Sequence, residues 1–283
     1  MSTFPIPVSN TVADLRARVA EWRREGRRVA LIPTMGALHE GHISLVRLAR
    51  ETCDRVVTSI FVNPTQFAPT EDFSSYPRTF DDDVAQLARA DCNLVWAPGV
   101  REMYPDGFAT RVVPAGAAEG LETDFRPHFF GGVATVCAKL FLQVGPDIAV
   151  FGEKDFQQLA VIRQMVRDLD LPLAIVGAPT IRETDGLAMS SRNRYLSAGE
   201  RRTAPLVHQV IAEVAARVRA GEAPDAACAD AAAKLTAGGF RSVDYVAVRD
   251  AVTLSAYDPA KGAGRVLVAA WLGKTRLIDN IAL

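Results

Sequence analysis

Residues 28–62, RVALIPTMGALHEGHISLVRLARETCDRVVTSIFV, decide the fold of this chain. Residues 28–33 predict a buried strand. Residues 55–62 predict a second strand, because they are rich in β-branched side chains and apolar on both faces. Between them, residues 43–52 carry apolar side chains at helical spacing. A strand, a helix and a second strand in this order predict a βαβ unit, the building block of a parallel sheet.

The alternation continues on both sides of this unit. Val12, Leu15, Val19 and Trp22 recur at helical spacing before it, and Gly26 stands where that helix should stop. Further helices are predicted at residues 80–89, 133–144 and 156–169, and further strands at residues 93–97, 148–151 and 173–176. Strands that alternate with helices of this length predict an α/β fold, a parallel sheet with helices on both faces.

The pattern changes near residue 180. Long helices are predicted at residues 198–220 and 225–237, and closing strands at residues 243–249, 265–271 and 276–279. Helices followed by strands predict a small α+β domain. We therefore expect a first domain at residues 1–180 and a smaller C-terminal domain at residues 181–283.

Composition excludes several classes of protein. The 283 residues carry 32 basic and 33 acidic side chains, a formal net charge of −1, and 49% of them are apolar. Such a chain can bury a core, and it has no basic excess that would favour nucleic acid or an anionic membrane. The longest apolar stretch, residues 266–272, is far shorter than the roughly 20 residues of a membrane helix. With no leader pattern at the N-terminus, we expect a soluble cytoplasmic protein.

The four cysteines lie far apart in the sequence. They are Cys53, Cys92, Cys137 and Cys228, and no pair has the spacing of a zinc or redox motif. We expect four buried, reduced thiols.

The turn at residues 33–42, PTMGALHEGH, is the first candidate site. It follows a strand and opens a helix, where free backbone N–H groups and the helix dipole favour phosphate. Gly36 and Gly41 let the backbone approach a ligand, and His39 and His42 can donate to phosphate oxygens. Two alternatives are ordinary turn histidines and two metal ligands with a third elsewhere.

Two later stretches carry similar chemistry. In residues 151–158, FGEKDFQQ, Lys154 can act as a mobile charge for phosphate, whereas Asp155 alone is better explained as a helix N-cap. In residues 189–193, MSSRN, two hydroxyls and Arg192 can hold a triphosphate, or form a surface loop. A histidine pair after the first strand and a Ser/Lys/Arg set after the last is typical of enzymes that activate a carboxylate with ATP.

Six strings together resemble the pantothenate synthetase family in order and spacing. They are PTMGALHEGH at 33–42, FVNPTQF at 61–67, YPRT at 76–79, GEKDFQQL at 152–159, DGLAMSSRN at 185–193 and AAWLGKTRLIDN at 269–280. The resemblance covers nearly the whole chain. It implies ATP-dependent ligation of pantoate to β-alanine through a pantoyl-adenylate, with release of AMP and pyrophosphate. It also implies a Rossmann-like first domain, a smaller C-terminal domain that closes over the site, Mg²⁺, and a homodimer.

The resemblance also implies roles for individual residues. His39 and His42 would contact the ATP phosphates, and His42 would be the proton donor. The other implied ATP-binding residues are Met35, Gly36, Gly41, Gly152, Glu153, Lys154, Asp155, Ile181, Met189, Ser190, Ser191 and Arg192. Gln66 and Gln158 would bind pantoate, and Gln66 would also meet β-alanine. His39, His42, Lys154 and Arg192 form the implied catalytic set, and no protein metal ligand is implied.

The chemistry agrees with these implied roles. In the first step an anionic carboxylate attacks an anionic phosphate, so the site must supply compensating charge and hydrogen-bond donors. The two glutamine amides suit pantoate because they can serve hydroxyl and carboxylate oxygens alike.

Two features need separate interpretation. The family commonly has a histidine after Arg-Pro-Gly, but here Arg126 and Pro127 are followed by His128 and Phe129, so neither receives a role. The run at residues 81–83, DDD, could bind Mg²⁺. We favour the start of a helix that is capped by Thr79. Acids in the first turn then complement the helix dipole.

Other functions remain open from the residues alone. A nucleotidylyltransferase would need a second phosphate-binding patch. An RNA-binding module would show a basic stripe with aromatic side chains, which is not present in the sequence. A non-catalytic nucleotide sensor would have inert residues at the site positions.

Overall fold

The computed structural model describes residues 4–67 and 73–283. The chain divides into two compact units. The first comprises Met1–Glu153 and Val161–Pro179, and the second comprises Lys154–Ala160 and Thr180–Leu283.

The first unit is built on a six-stranded parallel sheet. Its strands are β1 (Val8–Ser9), β2 (Val29–Thr34), β3 (Arg55–Ile60), β4 (Leu94–Trp96), β5 (Ile148–Gly152) and β6 (Ala174–Ala178). β2 and β3 pair along their whole length, from Val29 opposite Arg55 to Thr34 opposite Ile60. The predicted α/β fold with a parallel sheet is therefore confirmed.

Helices connect the strands. They are α1 (Val12–Arg24), α2 (Glu40–Arg50), α3 (Phe80–Arg89), α4 (Val100–Met103), α5 (Glu122–Phe125), α6 (Phe129–Val144) and α7 (Phe156–Asp168). Short 3₁₀ turns lie at Pro64–Gln66, Gly116–Ala118 and Glu153–Asp155. α6 begins one turn earlier than predicted, because Phe129 and Phe130 precede the apolar run that defined the predicted start.

The strand order places a switch point beside β2. The order is β1-β4-β3-β2-β5-β6, so the chain builds outward from β2 to β4 and then returns to add β5 on the other side of β2. In open parallel sheets, ligands bind beyond the carboxyl ends of the strands at such a reversal. The carboxyl ends of β2 at Thr34 and of β5 at Gly152 therefore border the expected ligand crevice.

The second unit contains helices and an antiparallel sheet. Its elements are α8 (Ala198–Thr203), α9 (Leu206–Arg219), α10 (Pro224–Ala237), β7 (Ser242–Asp250), β8 (Gly264–Leu272), β9 (Thr275–Ala282) and a 3₁₀ turn at Ser191–Tyr195. The predicted single helix at residues 198–220 is wrong. Pro205 has no N–H and cannot continue a helix, so the chain forms α8 and α9 on either side of it.

Each unit has its own apolar core. In the first unit, Ile32, Val46 and Leu87 are fully or almost fully buried, and in the second, Ile211 and Leu235 are. All four cysteines are buried and free, as predicted. Burial raises the pKa of the Cys137 thiol to about 12, which keeps it protonated and unreactive. Among the described residues, no helix is long and apolar enough to cross a membrane.

Candidate active site

The histidine loop after β2 has a strained backbone. Gly36 has φ +82° and Ala37 has φ +50°, so both adopt the left-handed conformation. A Cβ on Gly36 would lie 3.1 Å from Asp83 Oδ2 and 3.2 Å from Ile60 Cγ2. Only glycine fits position 36 without strain or displacement of these neighbours.

The Asp83 carboxylate holds this loop. Ala37 N donates to Asp83 Oδ2 at 2.9 Å, and Leu38 N donates to Asp83 Oδ1 at 2.8 Å. The Thr79 hydroxyl also donates to Oδ1, at 3.1 Å. Asp83 is 1% exposed. It fixes the loop by accepting hydrogen bonds from two buried backbone N–H groups.

The DDD run is therefore only partly as predicted. α3 does begin at Phe80 with Thr79 as its N-cap residue and acids in its first turn, but the Thr79 hydroxyl makes no capping bond to the helix backbone and donates to the Asp83 carboxylate. Sequence reasoning missed the role of Asp83. Asp83 is the last of three consecutive aspartates. The sequence does not show that it is buried while Asp81 and Asp82 are exposed.

The two histidines are locked to each other at the start of α2. His39 is the N-cap, and its Nδ1 accepts from Gly41 N at 3.1 Å. The Nδ1 of His42 accepts from His39 N at 3.3 Å. The ring centroids lie 4.1 Å apart at 45°. Because Nδ1 is the acceptor in both neutral rings, each carries its proton on Nε2, the nitrogen that can donate to a ligand.

The expectation of free backbone N–H groups at this turn is wrong. Ala37 and Leu38 donate to Asp83, and Gly41 donates to His39. An anion at the turn would therefore be bound by imidazole side chains rather than by these amides.

Gln66 sits in a hydrogen-bonded cluster within the same unit. It is 7% exposed, its Oε1 accepts from Asn63 Nδ2 at 3.0 Å, and its Nε2 donates to Met35 Sδ at 3.3 Å. The Oδ1 of Asn63 accepts from the Tyr104 hydroxyl at 2.8 Å. The structure thus joins Met35 and Gln66, and it identifies Asn63 as the side chain that orients the amide.

The loop before α6 supports Gln66 from its backbone side. Arg126 Nη2 donates to the Gln66 carbonyl at 3.3 Å, and its guanidinium lies 3.9 Å from the Phe129 ring centroid. A Cβ on Gly132 would lie 2.5 Å from the Thr65 carbonyl oxygen. Residues 126–132 therefore have a structural role: they pack α6 closely against the turn that carries Gln66.

In the second unit, a hairpin carries the Ser/Arg segment. Met189 N donates to the Ile181 carbonyl at 3.0 Å. Ser190 Oγ accepts from Arg192 N at 3.2 Å and caps the 3₁₀ turn that begins at Ser191. Five of the predicted ATP-binding residues thus belong to one hydrogen-bonded segment.

The other predicted residues of this unit precede or begin α7. Lys154 Nζ lies 3.6 Å from Asp155 Oδ2, and the Lys154 side chain is 19% exposed. Gln157 is buried, whereas Gln158 is half-buried. Within the described part of the chain, no hydrogen bond occupies the Gln158 amide. Gly152 and Glu153 end the preceding segment of the first unit.

An ion pair in the second unit braces the Ile181 hairpin. Arg182 donates to both oxygens of Asp279, at 2.6 and 3.0 Å, and Asp279 is buried. Burial by itself raises the pKa of Asp279, but His208 and Arg182 outweigh it and hold this pKa below its ordinary value of 3.8.

This brace predicts a pH-dependent stability. A lowered carboxyl pKa stabilises the folded chain above the ordinary value, and that stabilisation is lost as the pH falls through the lowered value. We expect Asp279→Asn to lower the thermal midpoint at about pH 6 and to do so much less at about pH 3. Circular dichroism melts across this range measure the difference. A difference that stays constant with pH would contradict the assignment.

Comparison with known proteins identifies the family. A sequence profile described as pantoate-beta-alanine ligase matches residues 7–282. The chain belongs to the pantoate–β-alanine ligase family. The known activity of this family is the ATP-dependent ligation of pantoate and β-alanine, which forms an amide C–N bond. The predicted family and enzyme class are confirmed.

Individual members of the pantoate–β-alanine ligase family match this chain over nearly the full length of both proteins. A pantothenate synthetase of Mesorhizobium japonicum is 58% identical over 274 residues, 97% of this chain and 96% of the relative. A crystal structure of pantothenate synthetase from Thermus thermophilus has TM-score 0.87 at 44% identity, covering 98% and 99% of the two chains. A ligase from Francisella tularensis, complexed with beta-gamma ATP and beta-alanine, has TM-score 0.82 at 31% identity, covering 98% and 97%.

Proposed function

We propose that this chain ligates pantoate and β-alanine through a pantoyl-adenylate. A pantoate carboxylate oxygen attacks the α-phosphorus of ATP, and the bond to the bridging oxygen breaks to release pyrophosphate. The β-alanine nitrogen then attacks the acyl carbon, loses a proton, and AMP leaves. The pair His39 and His42, in the turn that follows β2, gives this proposal its strongest support. The Nδ1 atom of each ring accepts from a backbone N–H group, which fixes the ring.

The first step needs donors and positive charge rather than a base. The carboxylate is itself the nucleophile, and it approaches a phosphate of the same sign. His39 and His42 supply neutral Nε2–H donors, with His42 as the proposed donor to the reacting phosphate. Lys154 and Arg192 supply full positive charges that gain value at the transition state.

The remaining assignments belong to the same proposal. ATP is held by Met35, Gly36, His39, Gly41, His42, Gly152, Glu153, Lys154, Asp155, Ile181, Met189, Ser190, Ser191 and Arg192. Pantoate is held by the amides of Gln66 and Gln158, and Gln66 also meets β-alanine. A domain at residues 1–180 binds nucleotide and pantoate, with a smaller domain at residues 181–283. The half-buried Gln158 amide, without a protein partner in the described residues, supports its role as a ligand.

Mg²⁺ fits this site as an ion carried by the nucleotide. Among the described residues, no group of three or more His, Cys, Asp or Glu side chains could hold a metal. Both oxygens of Asp83 already accept backbone N–H groups. Mg²⁺ usually keeps several waters and binds substrate phosphates with few protein ligands, so it would supply charge neutralisation on the triphosphate.

A cytoplasmic homodimer completes the proposal. The resemblance to the family supports the dimer, and light scattering coupled to size exclusion measures it: a mass near twice 30.5 kDa is expected. A monomer at working concentration would contradict this part alone.

Pyrophosphate release tests the reaction. Purified protein with ATP, Mg²⁺ and D-pantoate should release one burst of pyrophosphate without β-alanine and turn over steadily with it. Steady release that ignores the amine would favour a nucleotidylyltransferase, and no release in either case would remove the catalytic proposal.

The role of Gln158 gives a separate prediction. Gln158→Ala should raise KM for pantoate by about tenfold, roughly 1.4 kcal/mol of lost binding, with little change in KM for ATP. Initial rates with each substrate varied in turn measure this. The neighbouring Gln157 is buried and is unsuitable as a control, so Arg163→Ala, further along α7, serves instead. A KM effect confined to ATP would contradict the assignment.

A further inference from the structure

We infer that Asn280 is a positioning residue for the nucleotide site, because its side-chain amide fixes the backbone of Lys154. The inference rests on the proposed role of Lys154 in binding ATP phosphates. It concerns contacts within the second unit, to which both residues belong.

The Asn280 amide joins two groups that are distant in sequence. It is 2% exposed. Its Nδ2 donates to the Lys154 carbonyl at 2.8 Å, across 126 residues, and its Oδ1 accepts from Arg265 Nε at 2.7 Å. The amide therefore donates at one end and accepts at the other, which fixes its orientation.

Arg265 extends the same support to the start of α7. Its guanidinium lies 4.1 Å from the ring centroid of Phe156, two residues after Lys154. The segment that carries Lys154 is thus held by a hydrogen bond at its carbonyl and by an arginine stacked on the next helix residue. Both contacts come from neighbouring strands, because Arg265 lies on β8 and Asn280 on β9.

The preceding residue on β9 holds the second proposed nucleotide segment. Asp279 binds Arg182, which follows Ile181, and Arg182 Nη2 also donates to the Asn280 carbonyl at 3.3 Å. Two adjacent residues of one strand therefore contact the Lys154 carbonyl and the side chain of Arg182, the residue after Ile181. Their spacing is set by the paired sheet rather than by flexible loops.

Fixing the backbone of Lys154 reduces the entropy cost of placing its side chain on ATP. A lysine side chain loses conformational entropy when it is immobilised, and a mobile backbone would add to that cost on ATP binding. Holding the carbonyl in advance lowers the ordering cost. The Asn280 amide donates to a carbonyl and accepts from a guanidinium at once, whereas an ionised carboxylate can only accept, so aspartate cannot replace asparagine here.

Asn280→Asp is the sharpest test. It keeps the volume and the acceptor for Arg265, but it replaces the donor with an oxygen facing the Lys154 carbonyl. We expect kcat/KM for ATP to fall about tenfold, about 1.4 kcal/mol, and hydrogen exchange of the amides of residues 153–156 to accelerate. If this variant does not fold, Asn280→Ala undergoes the same measurements.

A matched control separates positioning from general loosening of the sheet. Asp244→Asn breaks the partly buried pair of Asp244 with Arg276, 2.7 Å apart, in the same sheet. It should lower the thermal midpoint without changing kcat/KM for ATP or exchange at residues 153–156. An equal change in both variants would overturn the inference.

A double-mutant cycle identifies the route of the effect. If Asn280 acts through Lys154, Asn280→Asp should change kcat/KM for ATP by less than about twofold in a Lys154→Ala background. A full tenfold additional loss would overturn the inference. If Lys154→Ala alone has no effect, the proposed role of Lys154 fails, and hydrogen exchange at residues 153–156 decides whether Asn280 still positions that backbone.

Discussion

Replacing His42 with alanine should lower kcat by about 10²–10³-fold while the fold remains. The ring presents an Nε2–H donor whose direction is fixed by the bond from His39 N to its Nδ1, 3.3 Å away. In the proposed mechanism this donor meets charge that develops on the phosphate, so its loss is felt mainly in the transition state. Steady-state pyrophosphate release gives kcat, and circular dichroism checks the fold.

A comparison with asparagine refines this result. His42→Asn keeps an acceptor near His39 N–H but cannot present a donor at the position of Nε2. It should therefore be more stable than His42→Ala, while its kcat stays as low. Activity of His42→Ala within about threefold of the parent, less than about 0.7 kcal/mol, would show that His42 has no direct part in the reaction.

Replacing Asp83 with asparagine should destabilise the chain by about 2–3 kcal/mol and reduce activity as well. The substitution keeps the volume, but one oxygen becomes an NH₂ group that faces a backbone donor, Ala37 N or Leu38 N. One of these two buried hydrogen bonds is then lost, and the left-handed backbone at Gly36 and Ala37 loses the carboxylate that holds it. Urea unfolding measures the loss of stability.

The neighbouring aspartate supplies the control for this change. Asp82 is exposed, so Asp82→Asn should alter stability by less than about 0.5 kcal/mol. Equal effects of the two substitutions would mean that the acidic run acts through helix-dipole charge alone and that the contacts of Asp83 are unimportant.

Local sequence patterns predicted the sheet well because parallel strands are buried on both faces. β3 is apolar and β-branched along most of its length, and its partner β2 is nearly as apolar, so their existence and type follow from composition. The break between α8 and α9 was missed although Pro205 was visible, because apolar spacing continues on both sides of it. The two-residue strand β1 is too short to give any pattern.

The histidine turn could be located from the sequence, whereas the residues that hold it in place could not. His39 and His42 follow a strand in a recognisable turn. Asp83 and Asn280 act through contacts made after long loops have closed, at sequence separations of 46 and 126 residues for the bonds to Ala37 and Lys154. Nothing in their own neighbourhoods distinguishes them from ordinary polar residues.

The capping of α2 by two imidazoles has a consequence in acid. An imidazolium has no lone pair on Nδ1, so a second proton on either ring would turn an acceptor into a donor that faces a backbone N–H. A second proton therefore opposes the folded first turn of α2, because it removes the Nδ1 acceptor that holds each ring against a backbone N–H.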